Sequence, residues 1–109
     1  MSKALILYKY GKAHPITFNI GKYSSNGNLH IGMLTHEDGY PEPWSNLTVN
    51  LGVPCKANCA FIDTNNNGLA IMEWLTDNHL GRILPREIAS GFCIYPEFEF
   101  DMERLMEYT

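Results

Sequence analysis

The chain has 109 residues, and its 12 acidic side chains outnumber its 8 lysines and arginines, which gives a formal net charge of -4. Hydrophobic residues make up 45% and charged residues 18%, a composition typical of a globular protein and not of a disordered one. We expect a single domain over residues 1–109, and no apolar run is long enough to form a membrane-spanning helix.

The N-terminal segment and the cysteines predict where the protein resides. The early apolar stretch covers only residues 4–7, which is too short for an export signal. Three cysteines are an odd number, and without export they are expected to stay reduced. The sequence therefore predicts a cytoplasmic protein.

Two alternating segments predict a β-hairpin. Every second residue is apolar in residues 16–20 and again in residues 29–33. Asn26-Gly27 lies between them and favours a two-residue type I′ turn. With that turn, Ile20 lies opposite Met33, and both apolar sets share one face.

The other strands are predicted from shorter patterns. They are residues 4–8, 47–51, 59–62 and 92–100. Pro96 interrupts the last of these, which predicts an edge strand or a bulge. Residues 82–91 show no clear period and are expected to form a connection.

The period changes after the polar run at residues 63–68. Apolar side chains at helical spacing continue to His79, so one principal helix is predicted, with His79 in the core, an Asn as N-cap and Gly81 at its end. A short C-terminal helical turn is predicted over residues 101–106, capped by Asp101. The predicted fold class is α+β: a mainly antiparallel sheet of five or six strands, with the principal helix packed on one face.

The motifs that carry chemistry are incomplete. Residues 63–68 match the first half of a calcium-binding loop, but Trp74 occupies the position that needs a bidentate Glu. Cys55, Cys59 and Cys93 lack the paired spacing of a zinc site. We predict no metal, no cofactor and no catalytic residues. A small Cys- or metal-dependent enzyme remains the alternative.

The charge distribution suggests a binding surface at the C-terminal end. The candidate residues there are Glu97, Glu99, Asp101 and Glu103. They form either a solvated edge or a surface that sits on a basic groove and competes with nucleic acid. Trp44 lies in a Pro-rich acidic loop, where it either anchors an interface or seals the core. For Trp74 a core role is favoured. The N-terminal lysines are poor evidence for direct nucleic-acid binding.

Several longer stretches resemble a known family. They are residues 23–29, 42–51, 59–66 and 90–100. Over most of residues 20–101 the chain resembles the small bacterial proteins filed as domain of unknown function 4313. The resemblance implies no catalytic residues. It implies a setting in phages, plasmids and integrated elements of Gram-positive bacteria, where inhibitors of host defence are encoded.

The sequence and the resemblance together lead to one functional hypothesis. We expect a non-enzymatic protein that binds a host protein, as an anti-CRISPR inhibitor of an effector nuclease or its guide-RNA complex. Trp44 would anchor the rim, and the acidic residues would meet the basic nucleic-acid channel. A homo-oligomeric accessory protein, joined through the predicted edge strand at residues 92–100, is a further alternative.

Overall fold

The structure is a computed structural model that describes residues 3–109. This part of the chain forms eight strands and three short helices. The strands are β1 (Leu5–Lys9), β2 (Lys12–Lys22), β3 (Leu29–Thr35), β4 (Glu42–Asn46), β5 (Thr48–Val49), β6 (Cys59–Ile62), β7 (Gly81–Ser90) and β8 (Cys93–Phe100), and the helices are α1 (Thr64–Asn67), α2 (Ala70–Asp77) and α3 (Met102–Met106). The strand pairs are antiparallel, and the α+β class is confirmed.

The first sheet has the order β1-β2-β3-β4. β2 and β3 form the predicted hairpin, but the predicted register is wrong by two residues, because Ile20 lies opposite Ile31 and not Met33. Asn26 does not adopt the positive φ that a type I′ turn requires. The loop is longer and is closed by the Tyr23 N–H, which donates to the Asn28 carbonyl at 2.8 Å. Since the shift is even, the apolar residues still share one face.

The second sheet has the order β5-β6-β8-β7. The prediction of one sheet with five or six strands is therefore wrong, because the described strands form two sheets of four. β8 lies between β6 and β7, so it is not the edge strand that Pro96 suggested. Pro96 instead lies opposite Glu87, where the register of β7 shifts between Ile83 and Glu87. This irregularity is the kind of site where a sheet tolerates a proline.

β7 occupies the segment that was predicted to be a connection. None of its ten residues is buried, and its exposed and half-buried positions do not alternate. It forms one edge of the second sheet, so only one of its sides is paired. An edge strand without a buried face needs no apolar alternation, and periodicity therefore carries no signal for it.

One cluster of buried apolar side chains joins both sheets and the helices. Ile16 and Ile31 come from the first sheet, Phe98 from the second, and Leu75 from α2, and all four are fully buried. The C-terminal segment closes the cluster beside β2, where the Phe18 N–H donates to the Tyr108 carbonyl at 2.8 Å. Both sheets thus share one core.

Leu47 forms the junction between the two sheets. It is fully buried between β4 and β5. Its N–H donates to the Ile31 carbonyl at 2.9 Å, and its own carbonyl accepts from the Asp63 N–H at 2.9 Å. One residue therefore bonds through its backbone to β3 and to the segment after β6.

The helical region begins earlier and ends differently than predicted. The polar run forms α1, and Asp63, not an Asn, caps it by accepting from the Asn66 N–H at 3.1 Å. The prediction of one principal helix is wrong, because the described residues form three short helices and α2, the longest of them, has only eight residues. His79 is exposed, with φ of +58°, and occupies the left-handed position predicted for Gly81. The prediction that His79 lies in the core is wrong.

α3 confirms the predicted C-terminal turn. Its N-cap is Asp101, whose Oδ1 accepts from the Arg104 N–H at 3.2 Å. Leu105 is the residue of α3 that enters the core. The cap explains why the chain turns into a helix directly after β8.

Candidate functional site

Trp44 lies on strand β4 and not in the loop predicted for it, and it forms the centre of a small aromatic cluster. Its ring centroid is 4.5 Å from that of His14 and 6.5 Å from that of Tyr10. Trp44 is half-buried and packs on the core cluster, whereas Tyr10 is 83% exposed. The sequence allowed Trp44 either to seal the core or to anchor an interface. In the structure it packs against the core and also borders an exposed aromatic surface.

His14 fixes one side of this cluster. It is buried, its Nδ1 bonds to the Glu37 carboxylate, and its Nε2 lies 3.1 Å from the Lys9 carbonyl oxygen. Both ring nitrogens of His14 therefore have partners within the protein. Lys12 Nζ lies 3.7 Å from Glu37 Oε1 and forms an ion pair with the same carboxylate. The loop after β3 is thus tied to the β1–β2 turn beside Trp44.

Two open depressions lie next to the aromatic cluster. The smaller one, of about 200 Å³, is bordered by Tyr10 and Trp44. The larger one, of about 470 Å³, lies between β1 and α2 and is bordered by Trp74. Lys9 and Asn67 line both depressions, so the two are neighbours along one surface. We call this surface the aromatic groove.

The predicted acidic residues of β8 carry partners on β7. Both carboxylate oxygens of Glu97 accept from Arg86, at 3.0 and 2.8 Å. Glu99 Oε1 accepts from Arg82 Nε at 2.7 Å. The Glu97 side chain is only 7% exposed. These two carboxylates are therefore compensated within the protein and do not present free negative charge.

Asp101 and Glu103 lie beyond the end of β8. Both are exposed, and neither has an ion-pair partner within residues 3–109. Trp44 belongs to the first sheet, whereas Glu97 and Glu99 belong to the second. The predicted binding residues therefore differ in kind. Trp44 is an aromatic contact residue, and the carboxylates are of two types: Glu97 and Glu99 are paired with arginines, whereas Asp101 and Glu103 are not, within the described residues.

The three cysteines are free, and two of them, Cys55 and Cys59, sit in environments that disfavour the thiolate. Burial raises the pKa of the Cys55 thiol, and the nearby Glu97 carboxylate raises it further. The same two causes raise the pKa of Cys59. A nucleophilic or metal-binding thiol needs the opposite shift. Among residues 3–109, no three His, Cys, Asp or Glu side chains lie together in a way that could hold a metal ion.

Tyr8 and Tyr10 border the groove, and the local sequence pattern did not point to them. Together with Ile6 they alternate with the buried Leu5 and Leu7, so they project from the outer face of β1 and the turn after it. The segment reads as a plain apolar strand because leucine and isoleucine dominate it. The available signal was the pair of tyrosines on either side of Lys9.

These features define a small α+β protein with two antiparallel sheets and an exposed aromatic groove beside one sheet edge. The chain belongs to the family described as domain of unknown function 4313, whose model matches residues 17–109. This match confirms the resemblance noted in the sequence. No curated protein and no solved structure matches the chain. β1 and Tyr10 precede the matched residues.

None of the helices within residues 3–109 is long and apolar enough to cross a bilayer.

Proposed function

We propose that the chain is a non-enzymatic binding protein of a mobile genetic element, active in the cytoplasm of a bacterial host. Its target is a CRISPR effector nuclease, and it acts by blocking the engagement of guide or target nucleic acid. The setting implied by the family resemblance supports this choice of partner. The observation that carries a binding role is the exposed Tyr10 ring beside Trp44, whose ring is packed on one side by His14.

Aromatic side chains held in a fixed position make effective contact residues. A ring that is already packed loses little conformational freedom on binding, and Trp and Tyr are enriched where binding energy concentrates. Trp44 meets this condition because it packs against the core and beside the buried His14. Tyr10 extends the same surface outward. The surface therefore suits a protein partner.

The electrostatic part of the proposal rests on the uncompensated carboxylates. Glu97 and Glu99 are already paired with arginines, so they add little to the negative potential of the surface. Asp101 and Glu103 are exposed and carry the negative potential that would face a basic channel. Attraction of this kind acts chiefly on the association rate and weakens with salt.

A nuclease assay tests the proposal. The purified chain is added to guide-loaded CRISPR effector nucleases from Gram-positive hosts, and target cleavage is measured. We expect inhibition by the natural chain and about tenfold weaker inhibition by Tyr10→Asn, because Asn tolerates the positive φ of this position but removes the ring. Tyr40→Asn is the matched control, since Tyr40 is an exposed aromatic residue in a loop outside the groove.

A second pair of variants examines the charge. Asp101→Asn with Glu103→Gln removes two negative charges, while Asn still caps α3. We expect slower association with the nuclease at low salt and a smaller difference at high salt. Absence of inhibition across the effector panel, or full inhibition by the Tyr10→Asn variant, would contradict the proposal.

Self-association is the second candidate function, and one observation favours it. β7 is an edge strand of the second sheet, and Ile83 on it is about half exposed. The contact would involve β7 rather than the segment at residues 92–100, because β8 is paired on both sides. Light scattering of the purified chain distinguishes a monomer from an oligomer joined in this way. The enzyme alternative lacks such support, since Cys55 and Cys59 have raised pKa values.

A further inference from the structure

β1 is an edge strand whose free side faces α2. It pairs only with β2. The Trp74 indole N–H donates to the Ile6 carbonyl at 2.8 Å, so the backbone of Ile6 points away from β2. Backbone groups alternate in direction along an edge strand of an antiparallel sheet. The N–H and carbonyl of Tyr8, two residues further on, therefore face the same free side, as a donor and an acceptor beside the groove.

The space next to Tyr8 is open. The larger depression of the aromatic groove has a volume of about 470 Å³, with Leu7, Tyr8 and Lys9 on the strand side. On the helix side, Ala70 presents only a methyl group, and Trp74 closes the end near Ile6. A gap between an edge strand and a helix is a recurrent site for an extended peptide, which bonds to the strand backbone.

The helix wall of this gap is negatively charged. Glu73 and Asp77 lie four residues apart on α2, are exposed, and line the depression. Neither has an ion-pair partner within residues 3–109. Lys9, the cation of the opposite wall, already donates to the Asn67 carbonyl at 3.2 Å. Glu73 and Asp77 therefore favour a bound molecule that places a cationic group next to α2.

We infer that the gap between β1 and α2 binds an extended segment of a partner protein that carries lysine or arginine. The segment bonds to the backbone of Tyr8, packs between the Tyr8 and Trp74 rings, and places its cationic side chain against Glu73 and Asp77. This inference rests on the proposed function as a protein-binding protein and names the kind of segment that is bound. β1 lies before the residues matched by the family model, whereas α2 lies within them.

The probe is a short blocked peptide of alternating lysine and threonine, titrated into the full chain labelled with ¹⁵N. We expect amide shift changes at Tyr8 and Ala70 and a change of the Trp74 indole N–H signal. A peptide with glutamate in place of lysine should bind about tenfold more weakly. The variant Glu73→Gln with Asp77→Asn should bind both peptides alike, whereas Asp38→Asn with Glu42→Gln, a matched change of exposed acids outside the gap, should keep the preference.

Several outcomes would overturn the inference. They are the absence of peptide binding, equal affinity for both peptides, and shift changes confined to β7. A thymidine oligonucleotide that produces the same shift changes would also overturn it, because the surface would then be a nucleic-acid site. If Glu73→Gln with Asp77→Asn keeps full nuclease inhibition, the gap is not used and the proposed function survives. If the peptides bind as expected but no nuclease is inhibited, the proposed function fails, and the inference that the gap binds a cationic extended segment is retained.

Discussion

Arg86 and Glu97 form a two-point ion pair across strands β7 and β8, with the Arg86 Nε 3.0 Å from Oε1 and its terminal nitrogen 2.8 Å from Oε2. The same guanidinium lies over the Phe61 ring, 5.0 Å from its centroid, and donates to the Pro54 carbonyl. A carboxylate that is only 7% exposed thus has a guanidinium donor on each of its two oxygens.

Arg86→Met is expected to lower the free energy of unfolding by about 3 kcal/mol, because it leaves the buried Glu97 carboxylate without compensation. Urea denaturation measures the change. Arg82→Met is the matched control, and its effect should be clearly smaller than that of Arg86→Met, since Arg82 is mostly exposed and Glu99 is less buried than Glu97. Adding Glu97→Gln to Arg86→Met should recover part of the loss. Equal effects of the two arginine substitutions would contradict this account.

Gly81 is required by close packing against β8. A Cβ at this position would lie 1.9 Å from the Glu99 carbonyl oxygen, and its φ is +150°. Gly81→Ala should therefore lower the free energy of unfolding by about 3 kcal/mol. Gly21→Ala in β2 is the control, because nothing lies within 4 Å of a Cβ there, and it should change stability by less than about 1 kcal/mol. Thermal unfolding of the two variants, followed by circular dichroism, compares them.

The thiols of Cys55 and Cys59 should react slowly with iodoacetamide in the native protein. Burial and Glu97 raise both pKa values, so less thiolate is present at neutral pH than in the unfolded chain. The rate in the Cys93→Ser variant should be about tenfold lower under native conditions than in urea. Because the raised pKa values favour the neutral thiols, their contribution to stability is present at neutral pH and is lost as the pH rises through the folded-state values. Native reaction as fast as unfolded reaction would refute the assignment.

Glu107 should titrate below its usual range. A hydrogen bond from Lys3 is the main cause of its lowered pKa, and Arg104 lowers it further. The resulting stabilisation is present at neutral pH and is lost as the pH falls through the lowered value. Lys3→Met should raise the pKa of Glu107 toward its ordinary value, as measured by carboxyl NMR titration. Lys22→Met is the control, since Lys22 has no ion-pair partner among the described residues.

The sequence was sufficient to predict the strands that have one buried face, but it was insufficient to predict the loop that joins them and the register that this loop sets. β2 and β3 could be predicted because every second side chain enters the core. The register could not, because the Asn26-Gly27 pair is compatible with more than one loop length. Here the Asn28 N–H donates to the Asn26 side chain, and the longer loop forms. β7 was missed because it has no buried face.

The candidate site was predicted in part for a related reason. Trp44 could be singled out from its local context, but its neighbours His14 and Tyr10 come from a distant part of the chain. The acidic residues of β8 looked uncompensated because their partners Arg82 and Arg86 lie on the strand that was missed. Which charges meet across a sheet depends on strand pairing, and local patterns do not determine that pairing.

The backbone bonds of Leu47 have a consequence for how the protein loses its structure. Neither sheet can separate from the other without breaking the bond from Leu47 to Ile31 or the bond from Asp63 to Leu47, and exposing a side chain that is completely enclosed. The two halves therefore melt together in one cooperative transition, and their slowest-exchanging amides should share the same opening free energy.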